Sequence, residues 1–549
     1  MAAPHANNPQ IPSPLPAAAT AWAPFRNRTF ALIWTATVVS NIGGWMYNVA
    51  SGWLMTSLDP DPFIVSMVQV ANSLPMFLFA IPAGALADIV DRRRLLIFGE
   101  SAIMITSTAF AALVWLNLIT PASLLVFSFV VTVGSAITAP GWQAVVPELV
   151  PKPDLPAAVA ANSVGINVSR AVGPAIGGLL VGAIGIAAPF WLNAFSNLGV
   201  IVALVRWRLP KKRGAQLPPE RFGNAMRTGL RHARYNPNLS ATLIRATTFF
   251  VFASAYWALL PLVARNQIAG GPALYGILLG TIGASAVGGA FLLRWLRGKF
   301  GADRLLSIAT LASAVATGVF AIAHGSATAV AASLIAGASW IAAVSSLNVS
   351  AQTALPEWVR GRGLAVYVTV MFGALTIGSA IWGKLAALIG LTAALLIAAV
   401  GATIAIPLTR AWKLQTGAVD DLSPSMHWPA PITTSAIEPD RGPVLVTVEY
   451  HIDPKNREPF LHALGRGARE RRRDGAYDWG IFEDPAKAGR FIETFLTDSW
   501  LDHLRQHQRV TKADRIVEQV VRRYQIGDGP KTTHLIGVQH SSGESARNL

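Results

Sequence analysis

The sequence predicts an all-α polytopic membrane protein with twelve transmembrane helices in two six-helix halves, followed by a small soluble α+β domain. Three observations carry this. Of 549 residues, 52% are hydrophobic and 13% charged, with a mean hydropathy of +0.44; soluble domains carry about 25% charged residues. Apolar segments near the length that spans a bilayer follow one another from Phe30 to about Trp412. The charge is also divided unequally, with a net of +17 over residues 1–413 and −1 over residues 414–549. A disordered chain, a fibrous repeat and an ordinary soluble enzyme are excluded. The absence of cysteine excludes disulfides, thiolate metal sites and cysteine nucleophiles. Nucleic acid is set aside as a partner, because the basic excess lies in the hydrophobic part and no base-reading motif accompanies it.

Residues 1–24 are rich in Pro, Ala and Asn and lack the basic-then-apolar layout of a cleaved leader. They are read as a disordered tail. The spans are placed at 30–57, 63–86, 95–118, 122–146, 158–182 and 187–206 in an N-terminal half (25–206). Those at 240–264, 273–296, 304–324, 327–352, 363–389 and 391–411 form a C-terminal half (239–413). With this count, 23 Lys and Arg residues fall in the N-terminus, the even-numbered loops and the end of the last helix. Only Arg265 and Lys384 fall on the other side. The positive-inside rule then places both termini in the cytoplasm of a cell membrane. The basic stretch 207–238 separates the halves. Its Arg221–Tyr235 part could form an amphipathic helix on the anionic leaflet, and a plain positive-inside linker is the favoured alternative.

An internal repeat crosses this division. Gln143, Pro147, Glu148 and Val150 recur as Gln352, Pro356, Glu357 and Val359, a Q-x-x-x-P-E-x-V pattern at a constant offset. The loop after the second span reads Gly84-Ala-Leu-Ala-Asp88-Ile-Val-Asp91-Arg92-Arg93-Arg94. Gly84 is expected to let two helices approach closely. The fifth span carries Gly173-Pro174-Ala-Ile-Gly177-Gly178, a small-residue packing face with a proline bend.

These residues resemble the major facilitator superfamily. The loop is similar to its G-x-x-x-D-x-x-G-R-R-K signature, departing at Asp91 where Gly is usual. G-P-x-x-G-G resembles the helix-5 antiporter motif of its exporters. The resemblance is most specific to the enterobactin-exporter and macrolide-efflux branch, which includes the transmembrane secretion effectors. It implies a secondary transporter that exports a small organic molecule, such as a siderophore, drug or secondary metabolite. Export would be coupled to inward proton flow by alternating access. It implies a gating cluster of Gly84, Asp88, Asp91, Arg92, Arg93, Glu148, Glu357 and Arg360. Pseudo-symmetry would place Glu357 near Arg92 and Arg93, and Glu148 near Arg297 and Lys299, as a latch between the halves. No ATP-binding signature is present, no enzyme activity is expected of the membrane part, and no cofactor or metal is implied.

Arg170 lies about 20 Å into the fifth span, near the bilayer centre. An unpartnered charge there costs several kcal/mol. A substrate- or proton-coupling role is favoured over a structural arginine satisfied by carbonyls. Glu100, the only acid inside a span, is a further substrate- or proton-coupling candidate, with snorkelling to the interface as the alternative for its shallow position. Asn41, Trp45 and Asn48 share one helix face, and Tyr256 joins them as a candidate for contacting a large organic substrate. Interhelical packing is an equal alternative.

Residues 414–442 read as a linker. Beyond it, strands at 444–452, 477–483 and 490–497 and helices at 454–474 and 500–523 suggest a ferredoxin-like domain over 443–526, with a disordered tail at 527–549. It resembles the antibiotic-biosynthesis-monooxygenase and stress-responsive dimeric α/β modules, most closely around Ser499–His507. This implies a homodimer through the domain. An alternative is a transporter fused to a metabolite-sensing or monooxygenase-like module. His503 and His507, at i and i+4, are read as a solvated helix face in preference to a metal or haem site.

Overall fold

The computed structural model describes residues 22–207, 222–415, 421–425, 427, 428, 431, 433, 435 and 437–538, excepting the side chains of 85, 87–89, 144, 222–226 and 228. Of the tails expected at 1–24 and 527–549, residues 1–21 and 539–549 lie outside it, as do residues 208–221 of the basic stretch and the Asp88 side chain.

The first half comprises α1 (Arg28–Leu58), α2 (Pro62–Ile89), α3 (Arg92–Trp115), α4 (Pro121–Leu149), α5 (Leu155–Ala183) and α6 (Ala188–Arg206). Local sequence starts these helices where expected. Asn27 accepts from the Thr29 and Phe30 amides to cap α1, and Asp61 caps α2 with Pro62 in the first turn. Thr120 and Ser123 form a capping box on α4. The chain is already ordered at Trp22, since Phe25 packs edge-on against Trp34 at 5.0 Å.

The second half follows α7 (Phe222–Tyr235) and comprises α8 (Pro237–Leu262), α9 (Pro272–Ile322), α10 (Ser326–Thr353), α11 (Arg360–Ile389) and α12 (Leu391–Leu408). Ten stretches among the described residues are long and apolar enough to cross a membrane. One of them is α9, 51 residues long. Its helical backbone is interrupted at Gly301 (φ 72°, ψ 168°), a conformation that excludes a Cβ. The 31-residue α1 is not among the ten, because Ser40, Asn41, Asn48 and Ser51 dilute its apolar content. The connections reach two faces alternately. One, here the basic face, carries α7 and the arginine-rich loops.

The halves meet through α2 against α11 and α5 against α9. A soluble module follows: β1 (Val444–His451), α13 (Arg457–Arg473), β2 (Tyr477–Glu483), β3 (Arg490–Thr497), α14 (Trp500–Arg509), α15 (Lys512–Arg522) and β4 (Lys531–Ile536). Its antiparallel sheet has the order β2-β3-β1-β4. The sequence reading differs here in three ways. The helix expected over 500–523 is two helices, because Thr511 and Asp514 form a capping box that starts a new one. A fourth strand lies beyond 526, pairing Val446 with His534. The 414–442 stretch is not a bare tether: the Ser425 amide bonds the Val510 carbonyl at 2.9 Å, and Trp428 Nε1 donates to Glu518 at 2.8 Å.

The module is docked on the basic face of the second half. Arg231 of α7 donates to the Gly475 carbonyl at 2.6 Å. The Arg509 guanidinium lies 4.4 Å above the Trp358 ring, and the His232 ring meets Trp358 edge-on at 5.5 Å. The amphipathic face of α7 is thus spent on protein contacts, with α11 on one side and α13 on the other.

Candidate functional site

The seam between α5 and α9 is made of backbone. A Cβ on Gly178 would lie 2.6 Å from the Pro272 oxygen and 2.8 Å from Gly276 Cα. One on Gly283 would lie 2.5 Å from the Arg170 oxygen. No side chain fits at either place without separating the helices. The helix-5 motif divides its work: Pro174 and Gly178 face α9, whereas Gly173 and Gly177 receive α1 at Trp45 and Met46. The complementary stripe in α9, Gly276, Gly280 and Gly283, was legible as small residues at helical spacing but was missed.

Arg170 stands at the inner end of this seam. Its guanidinium lies 5.7 Å from the Trp45 ring centroid, its buried Nε has no hydrogen-bond partner, and no carboxylate pairs with it among the described residues. A cation held against an aromatic face and lacking a counter-ion is equipped to receive an anionic or aromatic group. Asn41 and Asn48, on the same helix as Trp45, are half-buried.

Two of the other candidates lie elsewhere. Tyr256 is fully buried in the second half, between Trp257 and Phe320, so it is core rather than cavity lining. Glu100 is buried and accepts from Trp142 Nε1 of α4 at 2.9 Å.

The gating cluster serves mainly as helix-end chemistry. Asp91 is the N-cap of α3, accepting from the Arg94 amide at 2.9 Å, which accounts for an acid where the superfamily has Gly. Arg93 donates to the Leu204 and Val205 carbonyls at the end of α6. Arg92 pairs with Glu148 at 2.7 Å, within its own half. The latch expected between Glu148 and Arg297 or Lys299 is therefore not formed in this structure. Glu357 is exposed and forms no ion pair among the described residues, and Arg360 is also exposed. Gly84 makes no close approach, since a Cβ there would meet nothing within 4 Å.

On the opposite face the two isolated cations both bridge the halves. Arg265 donates to Thr56 and Ser57 at 2.9 and 2.8 Å and lies 5.7 Å over Trp53. Lys384 sits 5.5 Å over Phe63.

The module holds a cavity of about 510 Å³ between its sheet and helices. Buried Glu493 accepts from Tyr450 Oη at 2.9 Å and Trp479 Nε1 at 2.8 Å. The Arg471 guanidinium lies 4.4 Å over Trp428 and bonds Glu518 at 3.2 Å. Burial would raise the Glu518 carboxyl, but His427 and Arg471 outweigh it and hold it at about 2. Burial, with Asp514 beside it, pushes Glu470 up to about 9. His503 is buried, not solvated, with its ring against those of Trp500, His507 and His534. Burial followed by the neighbouring imidazoles lowers His503 to about 3, and burial lowers His507 to about 4. Together with His534, these neutral rings are the described side chains that could hold a metal.

A family profile described as transmembrane secretion effector matches residues 19–542. The chain belongs to the transmembrane secretion effector family. This family member is 25% identical over 248 residues to macrolide efflux protein A of Streptococcus pyogenes, covering 44% of this chain and 60% of that one. It is 23% identical over 241 residues to the staphyloferrin A transporter of Staphylococcus aureus (43% and 60%). An uncharacterized MFS-type transporter of Bacillus subtilis is 26% identical over 231 residues (40% and 53%). The chain thus spans a little over half the length of these relatives. Among solved structures, a POT family transporter complexed with 5-aminolevulinic acid superposes with a TM-score of 0.58 at 13% identity, covering 70% of this chain and 95% of that one. A bacterial homologue of the iron transporter ferroportin in the inward-facing state gives 0.54 at 14% identity (70% and 98%). These show a shared fold.

Proposed function

We propose that this secretion effector exports a small organic molecule from the cytoplasm by alternating access, with inward proton flow as the coupling reaction. The observation that carries the reading is Arg170, a guanidinium against Trp45 with no carboxylate paired to it among the described residues, at one end of a backbone-tight seam between the halves. The efflux and siderophore transporters among its relatives support the direction and the substrate class. Breaking α9 at Gly301 and counting α1 brings the spans to twelve, six in each half, with both termini and the module in the cytoplasm by the charge bias. The closed seam on the opposite face, clamped by Arg265 and Lys384, suits a state open to the cytoplasm. Arg170→Ala is expected to abolish transport in everted vesicles while insertion persists, and Arg170→Lys to rescue little, since ammonium lacks the planar fork. Full transport by the alanine variant would overturn the reading.

The module's strand order supports a ferredoxin-like fold. The sheet face away from the helices carries Leu445, Ile492, Leu496 and the exposed Phe482 and Leu535, which suits a homodimer. A second reading, in which the module senses or modifies a metabolite, rests on the 510 Å³ cavity. Filling it with Val448→Trp leaves transport unchanged on the first reading and alters it on the second.

A further inference from the structure

Three imidazoles from two elements converge on the inner wall of the module cavity. His503 and His507 stand one turn apart on α14, so both project from one side of the helix. His534 reaches the same wall from β4, whose pairing with β1 turns it to the helix-covered side, beside Val446. Their ligating nitrogens all lie within 4.8 Å of one another. His503 Nε2 and His507 Nε2 are 3.2 Å apart. Two nitrogens at about 2.0–2.1 Å from a tetrahedral zinc ion are separated by roughly 3.3 Å, so this pair is already at the span of two ligands.

A simple histidine–histidine hydrogen bond accounts for that one contact but not for the rest. His503 Nδ1 is turned away from that contact and lies with the buried Gln506 amide beside it, the arrangement of an outer-shell partner to a ligating ring. His534 has no side-chain hydrogen bond among the described residues, and its ring lies 4.7 Å from that of His503. Glu493 and the ionised Glu518 line the same cavity and bring acidic groups to a site that a metal ion would make positive.

We propose that His503, His507 and His534 bind a borderline divalent transition-metal ion of the zinc(II) class, with one coordination position open to the cavity. Imidazole donors suit this class of ion over calcium or magnesium. Three protein ligands and a free position are the count of an exchangeable site, unlike the four of a closed structural one. The cavity then gives that position to a small molecule with an oxygen or nitrogen donor. The ion would also tie β4 to α14, fastening the last strand of the sheet.

The test uses the full-length protein with a tag free of histidine, stripped by chelator and titrated with cobalt(II). The expected result is one equivalent bound, with visible ligand-field bands of a low-symmetry, roughly four-coordinate ion that zinc(II) displaces. His507→Ala and His534→Gln should each weaken binding by at least about 100-fold, beyond the 10–100-fold typical of losing an outer-shell partner. His451→Ala, on the exposed side of β1, should bind as wild type does. Zinc should raise the unfolding temperature of the wild-type module and not that of His534→Gln, whose metal-free unfolding should match the wild type. Cobalt binding that is unchanged in His507→Ala and His534→Gln, or lost equally in His451→Ala, would overturn the proposal. So would the absence of ligand-field bands at one equivalent.

Discussion

At the seam between α5 and α9, backbone lies against backbone, with Gly178 and Gly276 approaching so closely that neither tolerates a Cβ. At the surface between α7, Trp358 and the module, long side chains make the join. Arg509 covers one indole, Arg231 reaches a carbonyl, and His232 is buried beneath them. The first interface joins the two halves and the second attaches the module to only one of them. A glycine seam has no side chains to reorganise, whereas a surface of arginine and tryptophan is held by long side chains. The contrast teaches that the module is fastened to the second half by side chains while the two halves meet through backbone.

The largest effect should come from filling the seam. Gly178→Leu forces the helices apart at a contact where overpacking costs about 1–3 kcal/mol or more. We expect transport to fall at least tenfold with normal insertion, and disulfide crosslinking of cysteine pairs across α5 and α9 to fail. The absence of native cysteine makes that readout clean.

The second interface should yield to Trp358→Ala. Trp358 is half-buried, and loss of an aromatic anchor at an interface costs about 2 kcal/mol. Spin labels on cysteines at Lys487 and Arg410 should then give a broadened distance distribution, with the membrane part unaffected. A sharp, unchanged distribution would show that the module is fixed by other contacts.

The same distance should respond to pH through His232. Burial first, and the Arg473 and Arg509 charges next, lower this imidazole to about 3. A lowered histidine pKa favours the docked state while the ring is neutral. Its contribution is therefore complete above about 6.5 and is lost as pH falls from 6.5 towards 3, at about 1.4 kcal/mol per pH unit. Docking should weaken between pH 6.5 and 5, and His232→Gln should remove that dependence.

The smallest effect concerns the two copies of the repeat. Glu148→Gln removes a half-buried pair with Arg92, a loss of about 1 kcal/mol. Glu357→Gln should change stability by less than can be resolved, since Glu357 is exposed. Equal losses, read as shifts in thermal unfolding, would mean that both acids work in a state other than this one.

Much of this organisation was legible in the sequence. A series of long apolar helices and the β-α-β-β order at the start of the module followed from apolar periodicity and turn chemistry, which act over a few residues. The caps Asp61, Thr120 and Asn236 are equally local, with partners two or three positions away, but were not read from the sequence. Partners distant in the chain were not legible. Glu148 chose Arg92 over Arg297, Glu100 found Trp142, Arg265 and Lys384 found Trp53 and Phe63, and β4 completed the sheet and brought His534 against His503. Hydropathy specifies which segments leave water. Which charge meets which ring or carboxylate depends on how helices rotate and cross, a choice settled by small residues packing many positions away. The sequence by itself therefore determined many of the elements and the family resemblance, and the tertiary structure decided that Arg170 meets Trp45 with no carboxylate paired to it among the described residues and that three histidines share one wall.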